Sequence, residues 1–262
     1  MGRIIAVCNQ KGGVGKTTTS INLSACLSVA ERKTLIIDMD PQSNATTGFG
    51  IEKNELEHSM YDVITGRKKR GNSIGIADIR IRSSYMEFLD IAPSSPDLAA
   101  AEVELVNSIA REKRLLSAIE AVKDEYQYVI IDSPPSLGLL TVNVLTAADS
   151  VLIPIQCEYY ALEGLAELLN TVHLVQKNLN SKLVIEGALL TMFDGRLNLS
   201  RQVAEDVRGC FSGRVFESVV NRNVKLSEAP SFAKPIILYD IMSSGAENYL
   251  NLAKEIMQNE QA

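Results

Sequence analysis

The stretch Lys11-Gly12-Gly13-Val14-Gly15-Lys16-Thr17-Thr18, directly after the apolar run Ile4-Ile5-Ala6-Val7-Cys8, decides how the rest of this chain is read. An apolar run followed by glycines, a lysine and threonines predicts a buried strand, a loop and the start of a helix. Such a loop points successive backbone N–H groups at an anion, and its glycines let the backbone wrap closely with no Cβ in the way. Lys16 then meets the β- and γ-phosphates of a nucleotide, and the Thr17 hydroxyl can hold Mg²⁺. The usual phosphate-loop spacing asks for a glycine at position 10, where this chain has Gln10, and a second lysine, Lys11, opens the loop. The bland alternative is a glycine-rich turn with two solvated lysines. The agreement of strand, glycines, lysine, threonine and following helix argues against it.

Two later segments complete the site. Thr34-Leu35-Ile36-Ile37-Asp38-Met39-Asp40-Pro41 is a short apolar run ending in two carboxylates, and Tyr128-Val129-Ile130-Ile131-Asp132-Ser133-Pro134-Pro135 is another ending in one. Continuous apolar runs of this length predict central parallel strands, buried on both faces, with ligands collecting at their carboxyl ends. Asp132 is thereby placed as the Walker B carboxylate near Mg²⁺, and Asp38 or Asp40 as the group that orients an attacking water. One aspartate after a strand would be only a cap or turn former. Three behind a phosphate loop carry more weight.

KGGVGKTTT, LIIDMDPQSNAT, VIIDSPPSLG, PIQCEYYALEGL and NRNVKLSEAPSFAKPI follow one another in an order and spacing that resembles the ParA/Soj chromosome- and plasmid-partitioning ATPases, from about residue 3 to residue 257. The lysine at position 11 makes the loop similar to the deviant Walker A form of that family, in which it reaches across a dimer interface to the other subunit's nucleotide. The resemblance implies ATP and Mg²⁺ as ligands and an ATP-closed sandwich homodimer. It also implies nonspecific binding of double-stranded DNA and a ParB-type centromere-binding partner that stimulates slow hydrolysis. Residue by residue, Lys11, Gly12, Gly13, Val14, Gly15, Lys16, Thr17 and Thr18 match the phosphate loop. Asp40 matches the hydrolysis aspartate, and Thr17, Asp40 and Asp132 the metal set. Arg196, Arg222 and Lys225 fall in the DNA-binding region, and Asn221 and Asn223 lie near the adenine. The family usually has Pro-Arg-Asn where this chain has Asn221-Arg222-Asn223, a departure that bears on the adenine contact and not on the phosphates.

The expected fold is α/β, a doubly wound, mostly parallel sheet with helices on both faces, forming a single P-loop ATPase domain over residues 1–262 with no N-terminal helix-turn-helix domain. Strands are expected near residues 3–8, 34–38, 88–92, 128–132, 149–155, 183–190 and 215–220, and helices near 17–30, 97–125 with a break, 138–147, 161–178, 199–211 and 243–257. Leu162, Leu165, Leu168, Leu169 and Val172 recur at helical spacing and should line a core face. His173 beside them reads as structural, and Arg67-Lys68-Lys69-Arg70 as a solvated loop tip.

Composition narrows the function classes. With 46% hydrophobic and 22% charged residues the chain can bury a large core. Cys8, Cys26, Cys157 and Cys210 are widely spaced, which argues against a zinc or iron–sulfur framework and suits a reducing cytoplasm, with association to the nucleoid implied by the resemblance. The first strand begins within three residues of the start, leaving no room for a signal peptide, and no apolar run approaches membrane-span length. The guanine-specific N/T-K-x-D pattern is missing at a strand end, which favours ATP over GTP. Net charge is −6, yet the segment from Arg196 to Lys234 holds seven basic residues against four acidic ones. That modest patch doubles when two subunits align and would meet phosphates rather than bases. The competing class is a MinD-like membrane-associated cell-division ATPase, which attaches through a basic amphipathic C-terminal helix. The tail from Asn248 to Glu260 has one lysine against two glutamates and reads instead as a helix packed on its own body, with no stable membrane anchor. A third class, the iron-protein reductases, needs paired cysteines, and Cys157 has no evident partner.

Overall fold

The computed structural model describes residues 2–69, 71–159, 163–211 and 213–259. Among the described residues nine strands are formed: β1 (Arg3–Val7), β2 (Thr34–Asp38), β3 (Lys68–Lys69), β4 (Asn72–Ser73), β5 (Ile81–Arg82), β6 (Leu89–Ala92), β7 (Tyr128–Asp132), β8 (Ser150–Gln156) and β9 (Val184–Thr191). Seven of them build one sheet in the order β5-β6-β2-β7-β1-β8-β9, parallel throughout except for β5, and β3 and β4 form a separate exposed hairpin. Leu35, Ile36 and Ile37 in β2 and Val129, Ile130 and Ile131 in β7 are fully buried, as strands covered on both faces must be. Alternation splits their side chains between two cores. Ile4, Ala6, Leu35, Ile37, Val129 and Ile131 face one cluster, and Ile5, Val7, Ile36 and Ile130 the other.

Helices close both faces. Helix α1 (Lys16–Val29) and the C-terminal helix Ser244–Gln258 lie on the second core, where Leu23, Leu27, Tyr249, Leu252 and Ile256 pack. Burial of each such side chain contributes about 1.5–3 kcal/mol. The helices Leu139–Ala147, Glu163–Asn178 and Asn198–Cys210 cover the first core through Val144, Leu165, Leu168, Val172 and Val203, with Leu169 partly buried against it. Leu162, Arg70 and Glu260, which entered the sequence reading, lie outside the described residues, as do Tyr160 and Ala161 of the PIQCEYYALEGL stretch. His173 is exposed and bonds Gln176 at 2.9 Å. Lys68 and Lys69 are exposed in the hairpin, with Lys69 paired to Glu57.

The expected strand at 215–220 is a correction. This segment meets β9 and the residues after it at two isolated bridges, Ala188 with Val215 and Phe193 with Asn221, and through the Val220 N–H, which donates to the Leu190 carbonyl at 2.9 Å. Between them the Glu217 and Ser218 N–H groups donate to the Glu255 carboxylate at 3.0 and 3.1 Å, so a side chain of the C-terminal helix captures the amides that a ladder would use. The region 97–125 breaks as expected, into helices Leu98–Glu104 and Arg114–Glu120 joined by 3₁₀ turns.

The topology brings three loops together. Parallel pairing sets Val7 opposite Asp132 and Asp38 opposite Asp132, so the C-terminal ends of β1, β2 and β7 open side by side.

Candidate nucleotide site

The glycine loop is pinned at both ends. As β1 ends, the Asn9 amide donates to the Pro154 carbonyl at 2.7 Å and its Oδ1 accepts the Lys11 N–H at 3.0 Å. Further on, the Thr191 hydroxyl of β9 donates to the Val14 carbonyl at 2.9 Å. Gly13 and Gly15 stand at φ +74° and +89°, left-handed conformations that an L side chain resists. Gly15 is also the N-cap of α1, and no side chain caps that helix. Its first-turn N–H groups and the positive end of its dipole are therefore left for an anion. The Lys16 side chain is buried and donates to the Lys11 carbonyl at 3.1 Å, while Lys11 itself is partly exposed at the rim. Burial lowers the Lys16 pKa, against the pull of Asp132.

Opposite the lysine stand three carboxylates. Asp132, at the end of β7, is fully buried and accepts the Thr17 and Ser20 hydroxyls at 2.8 Å each. Burial raises its pKa, and Asp38 across the strand pair adds to the rise. Asp38, also fully buried, is pushed up by burial too, against hydrogen bonds from Thr46 and Asp40. Asp40 follows on the loop, buried to 6% exposure, with Oδ1 accepting the Gln42 N–H at 2.9 Å. Three buried acids beside one buried lysine leave negative charge that a divalent cation would relieve. The hydroxyl and carboxylate oxygens of Thr17 and Asp132 are the hard ligands Mg²⁺ takes.

Beyond α1 a cavity of about 300 Å³ is lined by Gly15, Thr18, Met192, Asn221, Asn223 and Pro230, among others. Asn221 is oriented by its N–H bond to Asn248 at 3.0 Å. Asn223 caps the short helix Val224–Glu228 through its Oδ1 and donates its amide to Ser244 at 2.9 Å. Arg222, which the sequence assigns to a DNA surface, is exposed on the rim of this same cavity. Arg196 is on the surface, its guanidinium bidentate to Asp194 at 2.9 and 2.7 Å, and Lys225 pairs with Glu228 at 3.0 Å.

Of the residues picked from the sequence, the structure gathers Lys11, Lys16, Thr17, Asp38, Asp40 and Asp132 around one opening, with Thr18, Asn221 and Asn223 at the adjoining cavity. Ser20, Asn9, Thr46, Ser94 and Thr191 were missed. Ser20 carried a signal, since it lies three residues after Thr17 on the same helix face. Cys8, Cys26 and Cys157 are buried and Cys210 is exposed, all as free thiols.

A glycine loop running from an interior strand of a doubly wound, mostly parallel sheet into an uncapped helix, with acids at nearby strand ends, defines a P-loop nucleotide-binding protein. A family profile described as "AAA domain" matches residues 2–185. The chain is 58% identical over 259 residues to the sporulation initiation inhibitor protein Soj of Bacillus subtilis, covering 99% of this chain and 100% of that protein. It is 55% identical to the chromosome partitioning protein ParA of Myxococcus xanthus over 99% of this chain and 89% of that one. Among solved structures, a cobyrinic acid a,c-diamide synthase from Mycobacterium smegmatis with bound ADP and magnesium superposes with TM-score 0.87 at 34% identity, covering 100% of this chain and 96% of that one. The cell division ATPase MinD of Pyrococcus furiosus, at TM-score 0.80 and 24% identity over 99% of this chain and 100% of that one, shares the fold. The chain belongs to the ParA/Soj family of partitioning ATPases.

Proposed function

We propose that this partitioning ATPase works as an ATP-closed sandwich homodimer that binds double-stranded DNA without sequence preference. It lets go when a ParB-type centromere-binding partner stimulates hydrolysis, and it acts in the cytoplasm on the nucleoid. In this reading residues 1–262 act as one domain. The loop amides and Lys16 hold the ATP phosphates, Thr18, Asn221 and Asn223 border the base, and Thr17, Asp132 and Asp40 hold or face Mg²⁺. Bound Mg²⁺ supplies charge neutralisation for the β- and γ-oxygens. Asp40 aligns the attacking water, and Lys11 reaches the partner's phosphates. Arg196, Lys225 and Arg222 meet DNA phosphates.

The observation that carries the reading is the pairing of Thr17 with buried Asp132 at the foot of an uncapped α1, with Lys16 beside them. That arrangement is costly in an isolated chain, and a bound nucleotide with its cation would offset the cost. The competing membrane reading loses support from the C-terminal helix, whose Ala246, Tyr249, Leu252, Ala253 and Ile256 are packed against α1 and the sheet. Among the described residues no helix is long and apolar enough to cross a membrane.

Size-exclusion with ATP, ADP or no nucleotide, each with and without nonspecific DNA and beside a liposome co-sedimentation, tests the reading. The expected result is a dimer with ATP alone and DNA co-elution only in that arm. Liposome binding without DNA binding would overturn it.

A further inference from the structure

Asp40 is held by a closed ring of buried hydrogen bonds that reaches well outside the phosphate-binding loops. We propose that Thr46 and Ser94 are positioning residues for hydrolysis, fixing the Asp40 main chain so that one carboxylate oxygen faces the water it aligns. The inference rests on the reading of Asp40 as the hydrolysis aspartate.

The ring can be followed atom by atom. Asp38 Oδ1 accepts the Asp40 N–H at 3.1 Å, and Asp38 Oδ2 accepts both the Thr46 N–H at 2.8 Å and the Thr46 hydroxyl at 2.7 Å. Thr46 Oγ1 accepts the Ser94 N–H at 2.9 Å, and the Ser94 hydroxyl donates to the Asp40 carbonyl at 2.8 Å. A hydroxyl has one proton to give. Thr46 gives its proton to the Asp38 carboxylate and Ser94 gives its own to the Asp40 carbonyl, while the backbone N–H groups can only donate, so every direction in the ring is set.

Asp38, Thr46 and Ser94 are 0% exposed, which makes each bond expensive to lose. The three segments involved are the end of β2, the short helix Asn44–Gly48 and the loop after β6. Both backbone ends of Asp40 are therefore fixed, with Ser43 N–H adding a second bond to its carbonyl at 2.9 Å. Ser43 stands at φ +58°, a left-handed conformation that the surrounding bonds must over-determine. On the side chain, Oδ1 takes the Gln42 N–H. Among the described residues Oδ2 takes no hydrogen bond, which leaves that oxygen for water. Neither Thr46 nor Ser94 bonds Lys16, Thr17 or Asp132 among the described residues, so the ring fixes Asp40 without building the phosphate cradle.

The test uses the full chain with ATP and Mg²⁺. Thr46→Val keeps the shape and removes the hydroxyl, Ser94→Ala removes the other, and Thr46→Ser restores the first. The expected result is a loss of kcat of about 10- to 100-fold in Thr46→Val and Ser94→Ala, the scale of a small misplacement in a positioned reaction. KM for ATP and the ATP-dependent dimer fraction should stay within about twofold, and Thr46→Ser should recover most of the rate. Added to Asp40→Ala, either hydroxyl deletion should cost nothing more in single-turnover hydrolysis, because it acts through the residue already removed. Unchanged kcat in both deletions, or parallel loss of kcat, ATP binding and melting temperature that Thr46→Ser fails to rescue, would overturn the positioning role. If Asp40→Ala itself hydrolyses ATP at the parental rate, the underlying reading of Asp40 fails first and is distinguished by that result.

Discussion

Asp132 carries a cost that the isolated chain does not recover. Its raised pKa means that the folded state prefers the protonated acid, so stability contributed at low pH is lost as pH rises from the ordinary carboxylate range through the raised value. Asp132→Asn keeps the shape and deletes the charge; one acceptor oxygen becomes an amide donor, to which the Thr17 or Ser20 hydroxyl can turn as acceptor. Without nucleotide, this variant should melt at the parental temperature or a few degrees higher by calorimetry, with the gap widening between roughly pH 5 and pH 8, yet lose Mg²⁺-dependent hydrolysis. A lower melting temperature across that range would show the charge to be well compensated. The two loop lysines separate in another way. Lys16→Ala should lose most ATP affinity and the dimer with it if, as proposed, the ammonium holds the β- and γ-phosphates. Lys11→Ala should keep ATP binding in the monomer and lose dimerisation, measured by light scattering beside nucleotide titration. Equal dimer fractions in Lys11→Ala and parent would remove the cross-subunit role. Lys16, Thr17 and Asp132 were legible because a phosphate loop and a strand-end acid are local signals. Thr46 and Ser94 were not, because their meaning lies in partners such as Asp38 and Asp40 that only folding brings within reach.

At the scale of the element, β9 and the segment beside it show where periodicity stops being informative. Val215, Phe216, Val219 and Val220 read as a strand, and Phe216 and Val220 are buried as a strand's residues would be. The ladder fails because Glu255 competes for its amides, and no pattern within 215–220 announces a carboxylate some forty positions away. The edge strand β5 was missed for a simpler reason. Two residues are too few to show alternation. Gly187 in β9 sits at φ +154°, and a Cβ there would meet Phe216 Cε2 at 2.9 Å and the Arg214 carbonyl at 3.1 Å. Gly187→Ala should therefore destabilise the chain by roughly 1–3 kcal/mol in urea unfolding. Because Thr191 at the end of the same strand clamps the loop at Val14, ATP affinity should fall as well. Parental stability would mean that β9 absorbs a side chain by shifting register near the irregularity opposite Val151 and Leu152 of β8.

For the whole molecule, the proposed DNA surface makes a prediction about salt. If Arg196 and Lys225 meet phosphates in a symmetric dimer, replacing either with Ala should weaken binding equally on two unrelated duplexes. The slope of log K against log salt should lose about 0.9 in magnitude per contact, or about 1.8 per substitution in the dimer. ATP binding and dimerisation should be untouched. An unchanged slope, or a loss confined to one duplex, would remove these side chains from the interface. The fold class and the central, parallel placement of the strands ending at Asp38 and Asp132 followed from the runs around Lys16, Asp38 and Asp132, whereas the strand order did not. The surface did not, since charge counts over Arg196 to Lys234 cannot tell a free cation from one already engaged. Here the engagement has a consequence of its own. In the proposed DNA-bound dimer, Asp194 and Glu228 would act as tethered competitors, each beside its cation whenever a phosphate departs. Swapping a carboxylate for a phosphate at one position changes little in free energy, so a single contact gives almost no hold and the gain comes only when several swaps occur together. If this surface meets DNA as proposed, it would respond to valence: it would ignore isolated anions and short fragments, grip a long polyanion, and let go all at once when the number of aligned contacts is halved.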